Sequence, residues 1–318
     1  MSGRAENGEP IFENYIVTNF APLGARKVFP CFDEPNYTSK YQFDIVRRKD
    51  QKTFFNSDFV QKAVFAKSGN SGNFGVSVVT ESHETDRFTV TKPLPTFLLG
   101  FTIGKFETIS ENFDDFHIKI STVADPDGEL KSKALAVAKN LLLKINALFG
   151  ETDLKSIRIM GLPNYRRSQK VVQPYALSFL PFEELFSRDE HFQKIVISEA
   201  ILTQFLSPTE LLWWDHLWQE RGLIWLLTNE IQDAPGRHLH FIKERHHSLN
   251  SENTFDLRDL LPMSEKEVRH TLTLSGASKW GFLTKTVKDW IEWTDQGIFR
   301  RLLRTPEFNN TLFEDPKD

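Results

Sequence analysis

Ala25-Arg26-Lys27-Val28-Phe29-Pro30-Cys31-Phe32-Asp33-Glu34-Pro35 is the stretch from which the rest of the chain can be read. It holds the only cysteine, Cys31, so no internal disulfide can form. Nothing near it suggests an activated thiol, and Cys31 is expected as a buried hydrophobe in a structural segment. Downstream the pattern is β. Tyr41 to Val46 alternates apolar and polar residues, the period of a half-buried strand. Phe59 to Phe65, Asn73 to Thr80 and Arg87 to Thr91 are further strand candidates, with turn signals such as Ser68-Gly69-Asn70-Ser71-Gly72 between them. Leu94 to Ile103 is an almost continuous apolar run that suits one buried strand.

Near residue 110 the character changes. Glu129 to Phe149 is rich in Ala, Leu and Lys, and Gly150 is placed to stop a helix. Ser187 to Phe205 and Glu210 to Asn229 read as two more helices, followed by Ser278 to Glu292 and Gln296 to Arg304. All seven tryptophans lie after residue 212, so the aromatic core of the second half is expected there. Pro235 to Ser248 is polar and reads as a loop.

With 318 residues, two domains are expected rather than one. The 39 basic and 43 acidic residues give a net charge of −4, which offers no electrostatic footprint for nucleic acid and no polybasic membrane patch. The polar N-terminus lacks the apolar stretch of a signal peptide, no apolar run spans a bilayer, and the polar C-terminus is no anchor signal. On these signs the chain is expected to be soluble and cytoplasmic.

Three patterns, in order, carry a resemblance. Ala25 to Pro35 is similar to the A-R-x-x-F-P-C-F-D-E-P segment of the aminopeptidase N-type zinc metallopeptidases (gluzincin aminopeptidases). Pro95 to Phe106 resembles the strand that closes that family's N-terminal β domain. Glu210-Leu211-Leu212-Trp213-Trp214-Asp215-His216-Leu217-Trp218 resembles its E-x-W-W-x-D-L-W. The resemblance implies an α+β architecture. A partial N-terminal β-sandwich or saddle domain is expected over 1–108, its start before Tyr15 missing. A thermolysin-like (zincin) α/β domain, helical towards its C-terminal end, is expected over 109–318, with the family's last helical domain absent.

The family's zinc site is H-E-x-x-H, eighteen residues, then E. Two histidines at i and i+4 share a helix face and can hold one metal, with the glutamate between them as general base. Registered on Trp213-Trp214, the histidine positions fall on Ser198 and Leu202 and the third ligand on Arg221. Only Glu199 survives, at the general-base position. A serine hydroxyl is a poor zinc ligand, leucine is none, and arginine stays protonated and repels a cation. No metal is therefore expected, although the family uses zinc. Without it, Glu199 has no acidified water to work on. A Glu199–Arg221 ion pair is expected to take over the metal's electrostatic role.

The substrate groups implied by the resemblance agree. The family's G-x-M-E-N falls on Ser168-Gln169-Lys170-Val171-Val172, so the amine-holding glutamate has become Val171. A second amine contact, Glu or Gln in the family, is Ala21. The family's transition-state tyrosine lies beyond the third ligand, and this chain has no tyrosine after Tyr175. The expectation is a catalytically degenerate homologue that binds peptides or proteins, or modulates an active aminopeptidase relative. Two alternatives stay open: a metalloaminopeptidase with a rebuilt site drawing on His216, Glu199 and Glu220, and a truncated descendant of a duplication. His238-Leu239-His240 and His246-His247 read as parts of a solvated loop rather than ligands.

Overall fold

The computed structural model describes residues 15–18, 20–63, 83–123, 128–150, 152, 154–165, 172–207 and 217–231. Asn73 to Thr80, the 235–248 stretch with its histidines, His216, Trp213, Trp214 and the two helices expected after residue 270 lie outside them. The architecture is mixed α/β with a β-rich N-terminal part.

Among the described residues that part holds three small antiparallel sheets. β1 (Ile16–Val17), β8 (Phe101–Gly104) and β4 (Lys52–Phe55) form the first, in that order. β3 (Asp44–Arg48), β6 (His83–Phe88) and β5 (Phe59–Ala63) form the second, and β2 (Thr38–Ser39) pairs with β7 (Leu94–Pro95) in the third. Their apolar faces meet in a core of Phe20, Ala25, Ile45, Phe55, Phe88, Leu94 and Phe97–Leu99. Aromatic rings dominate it, with Phe43 stacked on Phe55 at 4.6 Å. A buried ion pair lies within the second sheet, and a threonine of the first sheet bonds to it. Arg47 donates to both carboxylate oxygens of Asp86 at 2.6 and 2.9 Å, and Thr53 donates to Asp86 Oδ2 at 2.6 Å. Both charges are out of solvent, and the bidentate geometry offsets their desolvation.

The expected single strand over Leu94 to Ile103 is broken. It is buried as anticipated, but it forms β7, a 3₁₀ turn over Thr96–Leu98, and then β8 in a different sheet. Two close approaches fix the break. Thr96 Oγ1 donates to Asp33 Oδ1 at 2.7 Å. At Gly100 a Cβ would stand 2.3 Å from Pro174 Cγ, so only glycine fits. The strand expected over Arg87 to Thr91 is displaced to His83–Phe88, and that over Tyr41 to Val46 to Asp44–Arg48.

A second body of structure follows. β9 (Glu107–Phe113) turns through Asp114, whose φ of 48° is left-handed, into β10 (Phe116–Thr122). α1 (Gly128–Phe149) then crosses over to β11 (Ser156–Leu162), parallel to β10, and β12 (Ser178–Pro181) extends the sheet in the order β12-β11-β10-β9. The sequence pattern gave the helix, with Gly150 at φ 78° stopping it as expected, but missed all four strands. α1 buries Ala134, Val137, Ala138, Leu141, Leu142 and Ile145, a stripe at helical spacing. A short helix, α2 (Phe182–Leu185), leads to α3 (Glu190–Phe205), and α4 (Leu217–Ile231) follows. α3 starts at Asp189, whose carboxylate accepts from His191 N and Phe192 N at 3.0 and 3.2 Å. Among the described residues no helix is long and apolar enough to cross a membrane.

Candidate functional site

Ser198 and Leu202 lie on α3, one turn apart, and both are fully buried at 0% exposure. Leu202 belongs to the large core with Val196, Ile197, Ile201 and the α4 residues Leu223, Ile224 and Leu227. Leu202 is thus closed inside the packing shared by α3, α4 and the sheet, and Ser198 is shut off from solvent on the same helix. Glu199, between them, sits on the partly exposed side of α3. Its backbone carbonyl accepts from Thr203 Oγ1 at 2.7 Å. Arg221 lies on α4, but its side chain is outside the described residues, so the expected pair with Glu199 is as well. Glu220, on the same helix, is buried at 1% exposure.

Hydrogen bonds fix α3 against the sheet. Gln204 Nε2 donates to the carbonyl of Arg158 and to Ser178 Oγ, both at 2.9 Å, and Gln204 Oε1 accepts from Arg158 N at 3.2 Å. Ser178 Oγ in turn donates to the Ala200 carbonyl at 2.9 Å. The amide therefore completes the β11 ladder where β12 has not yet begun. One turn after the helix start, Gln193 Nε2 donates to the Leu185 carbonyl at 2.8 Å. Sequence reasoning missed this bracket. Its signal was a glutamine at the Ile197–Ala200–Ile201 spacing, a polar residue on an apolar stripe.

The donor set does not fit zinc. A buried serine hydroxyl and a leucine side chain cannot supply the nitrogen, sulfur or carboxylate ligands that a catalytic ion takes from protein. Among the described residues no three His, Cys, Asp or Glu side chains gather in a metal-holding arrangement.

Of the substrate positions, Ala21 and Val172 are described. Both are buried, at 4% and 3% exposure, and both join the N-terminal hydrophobic core. The structure thus brings these two together, in apolar packing. Ser168, Gln169, Lys170 and Val171 lie outside the described residues. The segment after them is held by Asn56, whose Nδ2 donates to the carbonyls of Leu98 and Tyr175 at 2.8 and 2.7 Å while its Oδ1 accepts from Gly100 N at 2.7 Å.

The motif at Ala25 to Pro35 is organised by Asp33, buried at 3% exposure. Its Oδ2 accepts from Arg26 N at 3.1 Å and Arg26 Nε at 3.2 Å, and its Oδ1 from Thr96. Cys31 is half-buried rather than buried, packed against the N-terminal core. Burial and the Asp33 carboxylate push its thiol pKa up, away from reactivity.

Residues 4–98 match the Peptidase M1 N-terminal domain. The chain is 27% identical over 220 residues to endoplasmic reticulum aminopeptidase 1 of Homo sapiens, covering 64% of this chain and 21% of that protein. It is 22% identical over 218 residues to glutamyl aminopeptidase of Bos taurus, covering 66% and 21%. To probable aminopeptidase 1 of Sulfurisphaera tokodaii it is 26% identical over 239 residues, covering 69% and 28%. The match therefore takes in about a quarter of the length of these relatives. From the matched N-terminal domain and these relatives, the chain belongs to the M1 aminopeptidase family.

Proposed function

We propose that the chain is a non-catalytic member of this family that binds a peptide or protein, or modulates an active aminopeptidase relative. In this reading residues 1–108 are a partial β domain, and residues 109–318 are a thermolysin-like domain whose metal site has been converted to packing. The observation that carries it is the complete burial of Ser198 and Leu202, the latter in the hydrophobic core that α3 shares with α4. A site that processed peptides would need these positions to face a water-filled cleft and to carry metal donors. The burial of Ala21 in apolar packing supports the same reading, since an amine anchor needs a carboxylate or amide reaching the substrate.

Glu199 then serves as a scaffold carboxylate on the rim of α3, with Arg221 of α4 as its proposed partner. The test is elemental analysis of the purified chain together with hydrolysis of an aminoacyl-arylamide. The reading expects zinc well below one ion per chain and no turnover above the buffer blank. Stoichiometric zinc with chelator-sensitive turnover would overturn it.

A further inference from the structure

The face of the four-stranded sheet turned away from α1 and α3 is apolar at one end, where Met160, Leu162 and Phe179 pack, and polar at the other, around the start of β10 and β11. Strand register sets its layout. β10 presents Phe116, Ile118 and Ile120 to the helices, so His117, Lys119 and Ser121 occupy the other face. On β11 Lys119 pairs with Arg158 and His117 with Ser156; on β9 they pair with Ser110 and Asn112. Paired residues share a face, giving rows Asn112–His117–Ser156 and Ser110–Lys119–Arg158. Exposure grades across them: Ser110 and Asn112 are exposed, His117 and Lys119 half-buried, and Arg158 buried at 5%.

Charge on this shelf is unbalanced. Arg158 pairs with Asp58, which is 67% exposed, and donates to the Ala176 carbonyl at 3.3 Å. That leaves N–H donors of its planar guanidinium over. Lys119 makes no ion pair with a described residue, and the carboxylate that acts on it is the same Asp58. Burial and the Arg158 charge pull the Lys119 pKa below its ordinary value, and burial, Lys119 and Arg158 do the same to His117. Beside them, Ser156 Oγ is shut off from solvent with no hydrogen-bond partner. A half-buried ammonium next to a buried guanidinium, an imidazole and an unused hydroxyl is costly with one carboxylate to share.

We infer that His117, Lys119 and Arg158, with Asn112 and Ser110 at the rim, form a binding site for a small oxyanion, a carboxylate or phosphate group. The ammonium and guanidinium supply charge-assisted donors on adjacent strands, about 5 Å apart across the ladder, a spacing that suits the two oxygens of such a group. Asp58 competes with the ligand for Arg158. The site stands whether or not the chain is catalytic.

The test titrates the full chain with inorganic phosphate, and in parallel with an acetylated dipeptide bearing a free C-terminal carboxylate and with its amide. The His117 ring resonance, assigned by its loss in His117→Gln, is the readout. Saturable movement of that resonance is expected with phosphate, with the carboxylate peptide, or with both, and none with the amide; the responding probe names the source of the oxyanion. Lys119→Gln, a half-buried side chain with no bond to lose, is expected to weaken binding about tenfold. Asp58→Asn moves the other way and is expected to tighten it by freeing the guanidinium. A response that does not saturate, that all histidines share, or that both variants leave unchanged overturns the site.

Discussion

Asp33 and the Ser198–Leu202 turn are both buried, yet they are buried in different ways. Asp33 is a charge kept inside the protein by two side-chain bonds and a backbone N–H, and every bond depends on the residues of the 25–35 motif or on Thr96. Ser198 is closed from solvent, and Leu202 sits among apolar side chains that any well-shaped hydrophobic residue could join. A polar hub preserves a sequence pattern because each missing partner leaves a buried group unsatisfied. A packed helix contact preserves only volume, so the donors that chemistry needs can disappear while the fold persists. The family is therefore plainest in the motif around Asp33, and any catalytic function is weakest in the helix.

Substitutions can break this contrast, beginning with the largest effect. Leu202→Ala should cost about 3 kcal/mol in urea unfolding, because it opens a cavity in a fully buried contact. Asp33→Ala should cost a similar ~3 kcal/mol by orphaning Arg26 N and the Thr96 hydroxyl, most of it from lost buried bonds since Arg26 is half-exposed. Leu202→Val should then recover most of the Leu202 loss, whereas Asp33→Asn, isosteric but uncharged, should recover less than half. Equal rescue at both sites would erase the distinction between hub and packing. Gln204→Ala should cost about 2 kcal/mol through the unpaired N–H and carbonyl of Arg158.

Smaller effects sharpen the account. His117 has its folded pKa depressed by burial and by Lys119 and Arg158. A depressed base binds fewer protons folded than unfolded, so stability should rise with pH across this window. The His117 contribution should be present above pH 6.5 and be lost as pH falls below it, and His117→Gln should flatten that part of the profile. Glu199→Gln should change stability by less than about 0.5 kcal/mol, because the side chain is partly exposed.

Much of this was legible in the residues, for identifiable reasons. α1 and α3 announced themselves through helical spacing and through Gly150. β11 and β12 escaped because they are short and buried on both faces, so they carry no alternation. Leu94 to Ile103 misled because burial alone cannot say whether an apolar run stays in one sheet; the break depends on Asp33 and Pro174, distant in sequence. Placing the family's ligand positions on Ser198, Leu202 and Arg221 rests on spacing alone, and the closure of Ser198 and Leu202 was not legible there, because it depends on tertiary packing. The Gln204 bracket and the cationic shelf were invisible for a further reason: cross-strand register exists only in three dimensions.

In the proposed reading, α3 has exchanged metal chemistry for packing. The most direct test is equilibrium dialysis of the full chain against micromolar zinc, followed by elemental analysis and arylamide hydrolysis on the same sample. The account predicts zinc far below one ion per chain and no turnover. One tightly held ion per chain, with turnover that a chelator abolishes and Glu199→Gln removes, would contradict it.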